Sequence, residues 1–151
     1  MRTLLALFLF AAPLVAAPVP KALKKRPALD GVWQVVEWHS GNAQLQLTDE
    51  VLWKIDGETL AVEGKNTATP AGFVANANRT MKKPEGGADN AIDYTILPTD
   101  GSRPSFRPSV FEVDGDTFTI CLTDTHNGPR PAECKPSGDT VTYVLKRVDA
   151  K

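Results

Sequence analysis

Cysteine is scarce in this chain, with two in 151 residues, too few for a cysteine-dense mini-scaffold. An excess of either charge is missing as well: 17 Lys and Arg stand against 18 Asp and Glu. That balance excludes a strongly basic nucleic-acid binder and an acidic disordered tail. No apolar run is long enough to span a membrane, which takes about 20 residues. The uncharged run 4–15 is interrupted by Pro13 and followed by Pro18 and Pro20. Also lacking are a Gly-x-Ser-x-Gly elbow, a His-Glu-x-x-His pair, a phosphate-binding glycine loop and a dinucleotide fingerprint. The sequence therefore offers no catalytic residue and no cofactor motif, and an enzyme is the least favoured class.

What is present begins with an address. Met1 and Arg2 give a short positive start, the apolar run 4–15 follows, and Ala16-Ala17 supplies small residues. Together these make a secretory signal peptide over 1–17. Residues 18–28 carry Pro18, Pro20 and Pro27 among Lys21, Lys24, Lys25 and Arg26, the pattern of an extended, solvated linker. The expectation is an exported protein, periplasmic or extracellular, with no stable membrane anchor after cleavage and one domain over 29–149.

Within that domain no window sustains apolar spacings of three and four, so no long amphipathic helix is expected. Short runs rich in Val, Ile, Thr and aromatics alternate with Gly, Pro, Asn and Asp clusters. Strands are predicted over 32–39, 51–55, 59–64, 73–81, 91–97, 109–113, 117–123 and 140–148. Loops are expected over 40–48, 66–72 and 80–90. Eight short strands joined by turn signals predict an all-β fold, an antiparallel barrel or sandwich.

Asp56-Gly57 and Asp114-Gly115 are type I′ hairpin signals. A two-residue loop at each would set Trp53 opposite Leu60, Val51 opposite Val62, Phe111 opposite Phe118 and Ser109 opposite Ile120. Large apolar residues then share one face of each hairpin. Cys121 falls on the other face, with Thr117, Thr119 and Thr123. Cys134 follows in the Pro-rich loop 127–138. An even cysteine count in an exported protein favours a Cys121–Cys134 disulfide over two free thiols, and so short a closed loop would add about 3 kcal/mol.

Four elements resemble a family. Gly31-Val32-Trp33-Gln34-Val35-Val36 looks like the Gly-x-Trp opening of lipocalin-like barrels. The run from Phe111 through Asp114-Gly115-Asp116 to Cys121 is similar to a signature of a large lipocalin-like family from planctomycete bacteria, as are Gly128-Pro129-Arg130-Pro131-Ala132-Glu133 and the terminal Leu145-Lys146-Arg147. The likeness covers 29–149. It implies a single eight-stranded up-and-down barrel and no particular activity. Cys134 departs from it, standing where the family leads one to expect an aromatic or aliphatic residue. The resemblance also implies that Arg147, on the last strand, packs over the Trp33 indole and closes the barrel base, a cation–π contact of roughly 0.5–2 kcal/mol.

Other candidate sites have plainer explanations. Cys121, Asp124, His126 and Cys134 match no standard zinc spacing. Asp114 and Asp116 lack the remaining ligands of a calcium loop, and a hairpin accounts for them. Carboxylate pairs such as Asp49-Glu50 and Asp89 with Asp93 arise readily among eighteen acids, and Asn78-Arg79-Thr80 fits a glycosylation triplet. The remaining candidate is the barrel interior, expected to be lined by Trp53, Leu60, Val62, Phe111, Phe118, Ile120, Tyr143 and Leu145. An eight-stranded barrel is filled by its own side chains or holds one small ligand. Two functions follow: an exported non-catalytic barrel holding a small apolar or amphipathic ligand, or a filled barrel acting as a structural or protein-interaction domain through its loops and outer surface.

Overall fold

The computed structural model describes residues 28–47, 50–64 and 77–148. The signal peptide and all but the last residue of the linker, with the loop 66–72, lie outside the described residues. Nine strands follow one another: β1 (Gly31–Ser40), β2 (Ala43–Leu45), β3 (Val51–Asp56), β4 (Thr59–Gly64), β5 (Ala77–Lys82), β6 (Ala91–Pro98), β7 (Ser105–Asp114), β8 (Thr117–Thr123) and β9 (Thr140–Arg147). No helix forms among the described residues.

Every pairing is antiparallel, and from β3 to β9 each strand pairs with the next in sequence. β1 closes the sheet by pairing with β9 along one edge and, through its first half, with β3 on the other. The result is an all-β, closed eight-stranded up-and-down barrel of lipocalin-like order. One strand is extra: β2, inside a segment expected to be loop, pairs with the end of β1. β7 also begins four residues earlier than expected, at Ser105. Pro104 and Pro108 read as strand breakers because proline offers no ladder donor, yet Pro108 takes its place opposite Asp93.

Both sharp hairpins form, with a register displaced from the expectation. Asp56 pairs with Thr59 and Asp114 with Thr117, so the loops are Gly57-Glu58 and Gly115-Asp116. Gly57 and Gly115 have φ of 58° and 55°, and neither flanking Asp has positive φ. Glycine thus occupies the first central position, as a type II′ turn requires, whereas type I′ would force the aspartate to positive φ. Trp53 consequently faces Val62 and Phe111 faces Ile120. The shift is an even number of residues, so the side chains expected to share a face still do.

A bulge between Val35 and Glu37 sets the interior of β1. Before it, Trp33 and Val35 point inward; after it, Trp38 does, opposite inward Tyr143. Unbroken alternation would instead have turned Glu37 and His39 into the core.

The base of the barrel is sealed by residues 28–30. Leu29 joins the core, and its carbonyl accepts the Trp33 indole N–H at 2.8 Å. Asp30 Oδ1 accepts the Gly57 N–H at 2.7 Å. Arg147, opposite Trp33 in the β1–β9 register, places its guanidinium carbon 4.2 Å from the Trp33 ring centroid. Its Nη1 donates to the Asp30 carbonyl at 3.0 Å. A Cβ on Gly31, at φ 133°, would lie 2.7 Å from that Nη1. Gly31→Ala should therefore lose about 1–3 kcal/mol of stability from backbone strain alone, read as a lowered urea midpoint. Its cost should shrink in an Arg147→Ala background, and strictly additive losses would contradict the contact.

Candidate functional site

The interior has two layers. In the lower one Trp33 and Phe118 meet at 5.4 Å between centroids, and Phe111 meets Phe118 edge-on at 6.0 Å. Leu60, Ile120 and Leu145 are buried with them. All eight residues expected to line the interior face inward. Phe111, Phe118, Leu60, Ile120 and Leu145 are at most 2% exposed, so they pack on one another and present almost no free surface. Val62 is partly buried against the same cluster.

Trp53 and Tyr143 belong to the upper layer, which is of different chemistry. Trp53 stacks on Tyr94 at 6.0 Å and meets Tyr143 at 5.3 Å, and Tyr143 stacks on Trp38 at 6.4 Å. The barrel thus carries a ladder of four large aromatic side chains. Two arginines stand on the same inward face. Tyr94 on β6 lies directly opposite Arg107 on β7 and opposite Met81 on β5, with Arg79 its diagonal neighbour. Arg79 is 3% exposed, and its Nη1 donates to the Ala77 carbonyl at 3.0 Å. Arg107 reaches the end of β8, donating through Nη1 to the carbonyls of Thr123 at 3.4 Å and Asp124 at 3.1 Å.

Two donors in this layer have no acceptor: Nε–H of Arg107 and Nε1–H of Trp38 are buried without a hydrogen-bond partner. Leaving a buried donor unsatisfied costs about 1–3 kcal/mol. Guanidinium stays charged at any ordinary pH, and burying it is unfavourable unless opposite charge and acceptors compensate. No inward position of the described strands is Asp or Glu. The Asp124 carboxylate, 3.9 Å from Arg107, is exposed at the strand end.

Sequence reasoning missed Arg79, Arg107, Tyr94 and Trp38. Arg79 was legible by alternation, since it shares a face with Ala77 and Met81 on β5. Arg107 was hidden by the two prolines beside it, and Trp38 by the bulge.

The cysteines correct an expectation. Cys121 lies on the outer face of β8, but the loop 124–139 covers it and it is fully buried. The Cys134 thiol donates to Cys121 Sγ at 2.6 Å, beyond the about 2.05 Å of a disulfide. Both cysteines are free. Cys121 Sγ also lies 3.3 Å from Thr142 Oγ1. The Cys134 hydrogen bond holds the Cys121 thiol below its usual range, and donating that bond pushes the Cys134 thiol up. The loop is held by Arg130, which donates to the carbonyls of Ile92 and Ser109 and to the Asp93 carboxylate. Asp93 is thereby a structural anchor. His126 accepts the Phe106 N–H through Nδ1 at 3.1 Å, and no cluster of potential metal ligands forms among the described residues. A cleft of about 510 Å³ opens between this loop and the ends of β8 and β9, outside the barrel.

The fold defines the class of the protein as a lipocalin-like closed barrel with a charged and aromatic upper interior. No protein-family model, no curated protein and no solved structure matches the chain.

Burial controls the two tyrosines. It pushes Tyr94 up to about 12, against the opposing pull of the Arg79 guanidinium hydrogen-bonded to its phenol. Burial also raises Tyr143, helped by Tyr94 beside it. Between pH of about 10 and 12 the unfolded chain releases protons that the folded chain retains, so stability falls as pH rises through that window. Below it the contribution is fully present. Because Tyr94 and Tyr143 are the chain's two tyrosines, absorbance at 295 nm should show no phenolate until the fold is lost near pH 12. Phenolate appearing near pH 10 with near-ultraviolet dichroism intact would contradict the buried ladder.

Proposed function

We propose that this protein is an exported, non-catalytic member of the lipocalin-like barrels that binds a small amphipathic ligand in its upper interior. The observation that carries the reading is the pair of buried donors, on Arg107 and Trp38, that no protein group satisfies. A barrel evolved only to be filled gains nothing from arginines and orphaned donors inside it, since apolar side chains of similar volume cost less to bury. The aromatic ladder sets apolar rings beside those polar donors, the mixture of chemistry expected of a small-molecule site. Export is supported by the charged start, apolar run and small residues of 1–17. Membership of the planctomycete family rests on the four sequence elements from Gly31 to Arg147.

A non-catalytic role agrees with the placement of the histidines. His126 is engaged by backbone, and His39 lies 3.4 Å from Glu37 on the outer side of β1. The alternative of a filled barrel acting through its outer surface draws on the tight lower layer. Native mass spectrometry of protein purified from its own host separates the two. The expected result is a bound small molecule that dissociates on denaturation. A bare protein mass, with no stabilisation by any amphipathic additive, would favour the filled barrel.

A further inference from the structure

The cleft between the loop 124–139 and the ends of β8 and β9 lies outside the barrel and is independent of its interior. We propose that this cleft is a second binding site, for a neutral carbohydrate of one or two sugar units. Its volume of about 510 Å³ falls within the ~300–1,000 Å³ of small-molecule pockets. Thr123 and Thr140, both buried, form its barrel side.

The lining is held in place before any ligand arrives. Thr140 Oγ1 accepts the Ser137 N–H at 2.9 Å, and the Thr140 N–H donates to the Ser137 carbonyl at 3.1 Å. The Asp124 N–H donates to the Asp139 carbonyl at 2.9 Å, and the Gly128 N–H to the Thr125 carbonyl at 3.2 Å. Arg130, anchored to Ile92, Ser109 and Asp93, ties down the segment that carries Pro129 and Pro131. Each proline fixes its own φ, so little conformational freedom remains to be lost on binding, which favours affinity.

The chemistry of the lining selects the ligand. Both cations are already paired, Arg130 with Asp93 and Lys135 with Glu133 at 3.0 Å, so an anion meets no cation of its own. The one other lining carboxylate, Asp139, is exposed, where water screens its pull on a cation. Among the described residues no aromatic side chain lines the cleft, which removes the stacking that a flat aromatic ligand needs. Hydroxyls of Thr125 and Ser137, each both donor and acceptor, remain. So does the exposed Lys135–Glu133 pair, an ammonium beside a carboxylate. Two neighbouring hydroxyls of a sugar can accept from the first and donate to the second without bringing any charge. Pro129, Pro131 and Ala132 add the aliphatic surface that the C–H face of a sugar ring covers.

Two matched pairs of disaccharides, titrated into ¹⁵N-labelled protein in mildly acidic buffer, provide the test. Cellobiose is neutral and cellobiouronate carries a carboxylate; N,N′-diacetylchitobiose is neutral and chitobiose carries ammonium groups. At least one neutral sugar should bind with a Kd of about 1 mM or tighter, shifting the amides of Ser137, Asp139 and Thr140. Its charged counterpart should bind about tenfold more weakly, the scale of one polar group left unpaired. Ala132→Trp, which fills the cleft from an exposed position, should abolish binding while the barrel amides keep their positions. Glu133→Ala should weaken it about tenfold by removing an acceptor. Lys54→Ala, on the outside of β3 and paired with Glu63, should leave it unchanged.

The failures are distinguishable. No shift from either neutral disaccharide overturns the proposal, as does a charged sugar that binds at least as tightly as its neutral partner. Shifts at the Trp38 and Trp53 indoles in place of the cleft amides put the sugar inside the barrel and overturn the cleft. Binding undiminished in both Ala132→Trp and Glu133→Ala overturns the assignment to these residues.

Discussion

Closure is the constraint on which everything else depends. β1 pairs with β9 on one edge and with β3 on the other, so the barrel sheet has no free edge and each inward side chain is committed to a single shared space. The seam is secured at its base, where Trp33 of the first strand meets Arg147 of the last and 28–30 lie across the opening. Aromatic and aliphatic side chains seal the base, and among the described residues the polar inward side chains Arg79 and Arg107 stand in the upper half. Arg79 thus belongs to the interior, where it donates to the Ala77 carbonyl and to the Tyr94 phenol.

The outer face is covered on one side. The loop 124–139 folds over β6 to β9 and buries Cys121, Thr123 and Thr142. Arg130 reaches across it to two strands at once. That contact gives a physical role to the Gly-Pro-Arg-Pro-Ala-Glu segment, which the sequence marked only by resemblance. It also seats Cys134 above Cys121, close enough for a thiol hydrogen bond and not for a covalent link.

The architecture was largely legible because its signals are local. Alternation of apolar residues and the two Asp-Gly turns were enough to find eight strands and to sort Trp53, Phe111, Phe118, Ile120 and Leu145 onto one inward face. The hairpin error was one of turn type: Gly57 and Gly115 take the first central position, and an even shift of register preserves the faces. The site was less legible, for reasons particular to each residue. Trp38 turns inward only through the bulge after Val35. Arg107 lies in a segment that Pro104 and Pro108 disguise as loop. Arg79 has the right alternation, but charge on a core face is read from sequence as a solvated position. Convergence of the arginines on Tyr94 is a long-range fact of strand order, which no local pattern encodes.

The central claim is that the upper interior, and in particular the Arg107 Nε–H and Trp38 Nε1–H, is where a ligand's acceptor belongs. Both groups carry directly observable nitrogen–proton resonances. In a ¹⁵N-labelled sample titrated with octanoate, the account predicts that these two signals shift together and saturate, and that their exchange with solvent slows. Shifts confined to exposed arginines and lysines, with the Arg107 and Trp38 signals unmoved, would contradict it.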